Sequence, residues 1–207
     1  LIPINKEKVT KDLQAVYNSG IRSCAIVLMH GYRYHNHELE IGKIAQKIGF
    51  TQISVSHQVS PLMKLVSRGD TTVVDAYLSP ILQRYVDQVS QKLSFNNIAN
   101  NSNFKLMFMQ SNGGLADANL FHGKDSILSG PAGGIVGAVK TAKIAGFSKI
   151  ISFDMGGTST DVAHYNGEYE RSFETEIAGV RLRTPIMSIH TVAAGGGSLV
   201  IFDGSRY

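Results

Sequence analysis

Residues 152–165 read "SFDMGGTSTDVAHY", and what this stretch builds decides how the rest of the chain is arranged. The apolar run "KIISF" leads into Asp154, Gly156 and Gly157 break it, and "TDVAHY" resumes as a second strand-like run. A Gly-Gly pair between two such runs signals a β-hairpin. The same composition suits an anion cradle, because glycine has no side chain to keep backbone amides away from a charged oxygen. Thr158, Ser159 and Thr160 add hydroxyl donors, and Asp154 is suited to hold a magnesium ion directly or through water. On spacing alone, plain hairpin and cradle stand side by side.

Downstream of this stretch the texture stays strand-like. "EYERSFE", "GVRLRTP", "MSIHTVA" and "SLVIFDG" are short runs separated by glycine-bearing turns, which predicts antiparallel hairpins from Ser148 onward. Upstream, "SGPAGGIVGAVKTAKIAG" predicts a helix with Ser129 or Gly130 near its cap, Pro131 in its first turn and Gly146 at its stop. "FKLMFMQ" reads as a buried strand whose C-terminal end carries "SNGGLAD", the place where α/β sheets put ligands. "SFNNIANNSN" reads as a surface loop. Thr71 to Leu93 has apolar residues at helical spacing, with Pro80 predicting a kink or two abutting helices after the polar break "SPLMKLVSRGD".

The first fifty residues alternate differently. Lys6 to Asn18 is helical in period and stopped by Gly20, "CAIVLM" is a continuous apolar strand, His37 to Ile48 is a second helix closed by Gly49, and "FTQISVS" is a second strand. Helix, strand, helix, strand predicts a parallel or mixed sheet covered by helices. The shift in texture places a boundary between residues 1–147 and 148–207.

Bulk composition narrows the function. The 207 residues are 43% apolar and 17% charged, so a folded core is expected and not a disordered chain. A formal charge of +4 is scattered and never forms a basic block with interleaved aromatics, which argues against nucleic acid as a partner. Cys24 is the single cysteine and sits in an apolar run, as a buried free thiol in a reducing compartment would. No apolar run reaches the length of a membrane span and the N-terminus has no signal-peptide order, so a cytoplasmic protein is expected. A start without Met and an end just after a strand-like run suggest a piece of something longer.

Other residues compete for a role. "HNHE" brings His35, His37 and Glu38 together with metal-like composition, although close histidines in a turn also serve as solvated or capping groups. Ser111 to Gly114 suits a substrate loop or a tight turn. Arg68, Asp70 and Asp75 suit a polar cluster bridging two lobes or ordinary surface charges at a helix start. Gly195, Gly196 and Gly197 in "AAGGGS" suit a contact with nucleotide or substrate, or a turn between strands.

The order "SGPAGGIVGA", then "SFDMGGTSTDVA", resembles the actin-like ATPase superfamily, in which a helix with small residues precedes a second phosphate hairpin. The blocks "AIVLMHGYRYHNHE", "SVSHQVSPLMKLVSRGDTTVVDAYLSPIL", "MQSNGGL", "LSGPAGGIVGA", "FDMGGTSTDV" and "HTVAAGGGS" are, in that order, similar to the hydantoinase A and 5-oxoprolinase family, and most similar to its 5-oxoprolinase members. The fold this resemblance implies is α/β: a ribonuclease-H-like actin-type ATPase lobe, followed by the opening β-hairpins of a second such lobe.

It also implies chemistry. Members use ATP to phosphorylate an amide or ketone oxygen, and in 5-oxoprolinase the lactam of 5-oxo-L-proline opens to glutamate. By the resemblance, ATP and Mg2+ are the cofactors and Asp154 and Asp161 the catalytic carboxylates, with Asp154 organising the metal. Gly156, Gly157, Thr158, Ser159, Thr160, Gly195, Gly196 and Gly197 would contact the nucleotide. Members also carry an earlier hairpin resembling "DxGGTFTD", which does not occur here, so these 207 residues are expected to be inactive alone. Expected partners are a cyclic amide, the missing parts of the polypeptide, a second hydantoinase-type subunit or domain, and further copies in a homo-oligomer. The alternatives are a subunit of an acetone-type ATP-dependent carboxylase and a non-catalytic actin-like nucleotide-binding module.

Overall fold

A computed structural model describes residues 2–95 and 105–206. Helix α1 (Lys6–Asn18) begins where the Asn5 side chain accepts from the Lys8 amide at 3.0 Å, satisfying one of the free donors of the first turn. Strand β1 (Ser23–Ile26), helix α2 (Asn36–Ile48) and strand β2 (Gln52–Val55) follow. Gly49 ends α2 with φ 113°, a left-handed conformation that strains any residue with a Cβ. β1 and β2 pair in parallel from Ser23↔Gln52 to Ile26↔Val55, as the helix-strand alternation predicts. β1 is shorter than the apolar run "CAIVLM", because Leu28 and Met29 leave the sheet and give their carbonyls to Arg68. Cys24, expected buried, is half-buried, and burial pushes its thiol pKa up.

One helical turn, α3 (Ser56–Val59), leads to α4 (Leu65–Phe95). The break after β2 ends at Lys64, so "LVSRGD" is already helical. Pro80 lies inside one continuous helix and does not divide it in two, since its missing amide removes a single hydrogen bond from a long ladder. The buried face of α4 carries Arg68, Thr71, Thr72, Asp75 and Ser79, while Val73, Tyr77, Ile81 and Tyr85 are exposed. Periodicity alone predicts the reverse. The polar groups are tolerated because each is bonded: Thr71 Oγ1 donates to Ser67 O at 2.8 Å and Thr72 Oγ1 to Arg68 O at 2.7 Å. The asparagine-rich loop expected at residues 94–103 starts later, since Ser94 and Phe95 still belong to α4, and its residues 96–103 lie outside the described residues.

Strands β3 (Met107–Met109) and β4 (Leu115–Asp117) form an antiparallel hairpin. "SNGG" is therefore a tight turn and not the ligand-binding edge of a parallel sheet. Gly113 stands in it at φ 81°, and a Cβ there would lie 2.0 Å from Met187 Cε. Helix α5 (Ser129–Ile144) is capped at Leu128, one residue before the expected Ser129, and Gly146 at φ 88° terminates it as expected.

After α5 the described residues hold only strands and turns. β5 (Lys149–Met155) and β6 (Thr160–Asn166) form the long hairpin. β7 (Arg171–Ser172), β8 (Thr175–Ile177), β9 (Val180–Leu182) and β10 (Ile186–Met187) add two antiparallel pairs, β10 with β7 and β8 with β9. β11 (His190–Val192) completes the three-stranded sheet β11-β6-β5. "SLVIFDG" forms no strand, and Leu199 to Phe202 are exposed. α5 packs on one face of this sheet through Ala132, Ile135 and Val139 against Ala163 and Tyr165 of β6, and Met187 of β10 joins the same cluster. Burying a side chain of the size of Val139 contributes about 1.5–3 kcal/mol. Among the described residues no helix is long and apolar enough to cross a membrane.

Candidate functional site

The β5-β6 register sets Asp154 directly opposite Asp161 and Met155 opposite Thr160. Gly156 to Ser159 close the turn, with the Gly156 amide donating to Ser159 O at 2.9 Å. The amides of Gly157, Thr158 and Ser159 have no hydrogen-bond partner among the described residues, and Gly157 and Thr158 are exposed. Three successive free amides at an exposed turn can converge on one anion.

Both carboxylates line a groove of about 480 Å³ between α5 and the hairpin. Gly134 of α5 makes room on its side: a Cβ there would stand 3.4 Å from Asp154 Oδ2. Asp161 is oriented from β11, where Thr191 Oγ1 donates to Asp161 Oδ1 at 2.6 Å. Thr160 is buried, and its hydroxyl donates to Ala194 O at 2.6 Å. Two facing carboxylates are a donor set that fits a magnesium ion completing its octahedron with water and phosphate oxygens.

The glycines of "AAGGGS" lie against the turn. Gly196 N–H donates to Gly156 O and Gly197 N–H to Gly157 O, each at 2.9 Å, and Gly195 N–H donates to Ser198 Oγ at 3.0 Å. A Cβ on Gly195 would stand 2.6 Å from Gly156 O and 2.7 Å from Gly157 C and Thr158 N. Neither Thr191 nor the contact between the two glycine stretches is signalled by sequence, because nothing local relates them.

Two of the remaining candidates, Glu38 and Arg68, belong to a second, buried network. Glu38 is fully buried and accepts from Leu28 N at 2.9 Å, Ser56 Oγ at 2.6 Å, His57 N at 3.0 Å and His57 Nδ1 at 2.7 Å. Burial pushes its pKa up, but the hydrogen bonds outweigh it and hold the carboxyl below its ordinary value. Arg68 donates from Nε to Ser56 Oγ at 2.9 Å and caps the carbonyls of Leu62, Met29 and Leu28. His35 stacks on His57, and no group of three or more His, Cys, Asp or Glu suited to a metal occurs among the described residues. Of the "HNHE" stretch only Glu38 enters the buried hydrogen-bonded core, while His35 is exposed. Asp75 accepts from Ser54 Oγ at 2.7 Å and Ser79 Oγ at 3.2 Å, while Asp70 sits at the surface 3.8 Å from Arg181. Arg68, Asp70 and Asp75 therefore do not share one cluster. The link between β9 and β10 is tied to α4 and to the end of α3 by a different residue: Arg183 N donates to Thr71 Oγ1 at 2.9 Å, and Ser60 Oγ to Arg183 O at 3.1 Å.

The pattern described as Hydantoinase/oxoprolinase matches residues 68–207, and that of the Hydantoinase/oxoprolinase N-terminal region matches residues 1–49. A 5-oxoprolinase of Dictyostelium discoideum is 44% identical over 216 residues, covering 98% of this chain and 17% of that protein. The chain thus spans about a sixth of that relative's length. The crystal structure of ATP-dependent caprolactamase from Pseudomonas jessenii superposes with a TM-score of 0.82 at 26% identity, covering 98% of this chain and 29% of that one. Nucleotide-free acetone carboxylase superposes with a TM-score of 0.81 at 24% identity, covering 99% and 29%, which shows the shared fold. That fold is the α/β, actin-like ATPase type the sequence resemblance implies.

Proposed function

Because this chain belongs to the hydantoinase/oxoprolinase family, we propose that it carries the phosphate-handling hairpin of an ATP-dependent hydrolase that opens a cyclic amide, 5-oxo-L-proline first among the candidates. The observation that carries this reading is the turn of the β5-β6 hairpin, where three amides unpartnered among the described residues adjoin two facing carboxylates. A plain hairpin has no use for either feature, since facing like charges cost stability unless a cation lies between them.

A lactam is a poor electrophile, and phosphorylating its oxygen supplies a leaving group. The lactam oxygen attacks the terminal phosphorus of ATP and the bond to the bridging oxygen breaks, releasing ADP. Water then adds to the activated carbon, the ring C–N bond breaks to leave an amine and an acyl phosphate, and a second water releases phosphate and the carboxylate. A protein contributes to such a transfer chiefly by positioning and by neutralising charge. The amides of Gly157, Thr158 and Ser159 and the hydroxyls of Thr158 and Ser159 would hold the phosphate oxygens. Asp154 and Asp161 would hold magnesium, which supplies charge neutralisation at the transferring phosphoryl group. The remaining partners of such a centre would come from the rest of a relative-length polypeptide or from a second hydantoinase-type subunit.

The test is ATP hydrolysis by the full polypeptide carrying this chain, measured with 5-oxoproline, with hydantoins, and with acetone plus bicarbonate. Stimulation by a cyclic amide is expected. Stimulation only by acetone with bicarbonate would move the assignment to a carboxylase, and no stimulation by any of them to a nucleotide-binding module.

A further inference from the structure

The hydrogen bonds between the two glycine stretches define a role for the second one. Gly196 and Gly197 donate their amides to Gly156 O and Gly157 O, and Gly195 donates its amide to Ser198 Oγ. All three amides are thereby engaged within the protein. The consequence lies on the other side of each peptide plane. A trans peptide unit is flat, with its C=O and N–H pointing in opposite directions. Holding Gly156 O toward Gly196 turns the Gly157 N–H away from it. Holding Gly157 O toward Gly197 turns the Thr158 N–H away in the same manner. Those two N–H groups are two of the three at the exposed turn that have no partner among the described residues.

We infer that Ala194 to Ser198 act as a brace, a positioning element that fixes two peptide planes of the hairpin so that the Gly157 and Thr158 amides face a phosphate oxygen before it arrives. The inference rests on the phosphate-hairpin reading above and adds to it a part that need not touch the nucleotide. Thr160, buried and donating to Ala194 O, fastens the brace to β6. Gly195 is the residue the arrangement cannot change, since any Cβ would strike Gly156 O, Gly157 C and Thr158 N. Amides oriented in advance need no reorganisation as charge develops, which is how fixed donors lower a barrier.

The experiment compares Gly195→Ala, Ser198→Ala, Asp154→Asn and Gly137→Ala in the full polypeptide, reading kcat and KM with magnesium-ATP and 5-oxoproline beside the melting temperature. Gly137 is exposed on α5 with nothing within 4 Å of its Cβ position, so its variant reports the effect of an added methyl group remote from the hairpin. Gly195→Ala is expected to lower kcat about a hundredfold, the loss that follows removal of one fixed oxyanion donor, while KM for the amide stays within about twofold. Ser198→Ala adds no bulk and frees only the Gly195 amide, and is expected to lower kcat about tenfold; if Gly195→Ala does not fold, this variant decides alone. Wild-type kcat in the folded brace variants, with Asp154→Asn inactive, overturns the brace and leaves the hairpin reading standing. Wild-type turnover by Asp154→Asn overturns both.

Discussion

Asp154 and Asp161 are register partners across the β5-β6 ladder, and both line the groove that α5 closes at Gly134. Like charges placed opposite one another in a sheet are destabilising unless something positive lies between them. Under the function proposed above, the pairing is a compromise made for the phosphate site in an otherwise regular hairpin.

Asp154→Asn keeps the shape of the side chain and removes the charge. Turnover in the full polypeptide is expected to fall about a hundredfold or more, near 3 kcal/mol of transition-state stabilisation, while the melting temperature holds or rises. The substrate-dependent ATPase rate read beside a thermal melt checks this; an unchanged rate would refute the phosphate assignment.

The 207-residue chain by itself is expected to bind magnesium-ATP weakly. It spans about a sixth of the 5-oxoprolinase it resembles, and nucleotide in actin-like folds is held between two lobes. Calorimetric titration is the check, and a submicromolar dissociation constant would contradict the expectation.

Glu38→Ala is expected to cost about 3 kcal/mol of unfolding free energy, because it leaves the buried Arg68 and the donors at Leu28, Ser56 and His57 uncompensated. The pH dependence has a definite sign. The Glu38 pKa is lowered on folding, so its contribution is complete above the ordinary value of 4.5 and is lost as pH falls through the folded value. Urea unfolding across the acid range should show wild type and variant converging below that point; a constant gap would refute it.

Gly113→Ala is expected to lose about 1–2 kcal/mol, since φ 81° puts an alanine in the left-handed region and its Cβ against Met187. Chemical denaturation measures it. A loss of activity at unchanged stability would restore "SNGG" as a substrate loop.

Much of the architecture is legible in the sequence. The β5-β6 hairpin, the β1-β2 parallel pair and the helices α1, α2 and α5 follow from glycine positions and periodicities that act within about ten residues of chain. The hidden parts share a cause. α4 buries Arg68, Thr71, Thr72, Asp75 and Ser79 and exposes Val73, Tyr77, Ile81 and Tyr85, which a hydrophobic pattern cannot reveal, because burial of polar groups depends on partners far along the chain. Ser56 mediates between Glu38 and Arg68 from a third element.

By itself the sequence determined that residues 152–165 form a glycine-turned hairpin with acidic flanks, because backbone sterics at Gly156 and Gly157 and the alternation around them are local. Only the tertiary structure decided how that turn is held. Thr160 and Ala194 meet across 34 positions at 2.6 Å, and Gly196 and Gly197 donate to carbonyls still farther back along the chain, on Gly156 and Gly157. Those bonds exist because β11 pairs with β6 and carries the glycines back onto the turn, and a peptide plane is oriented by what its carbonyl reaches in space, whatever its neighbours in the chain.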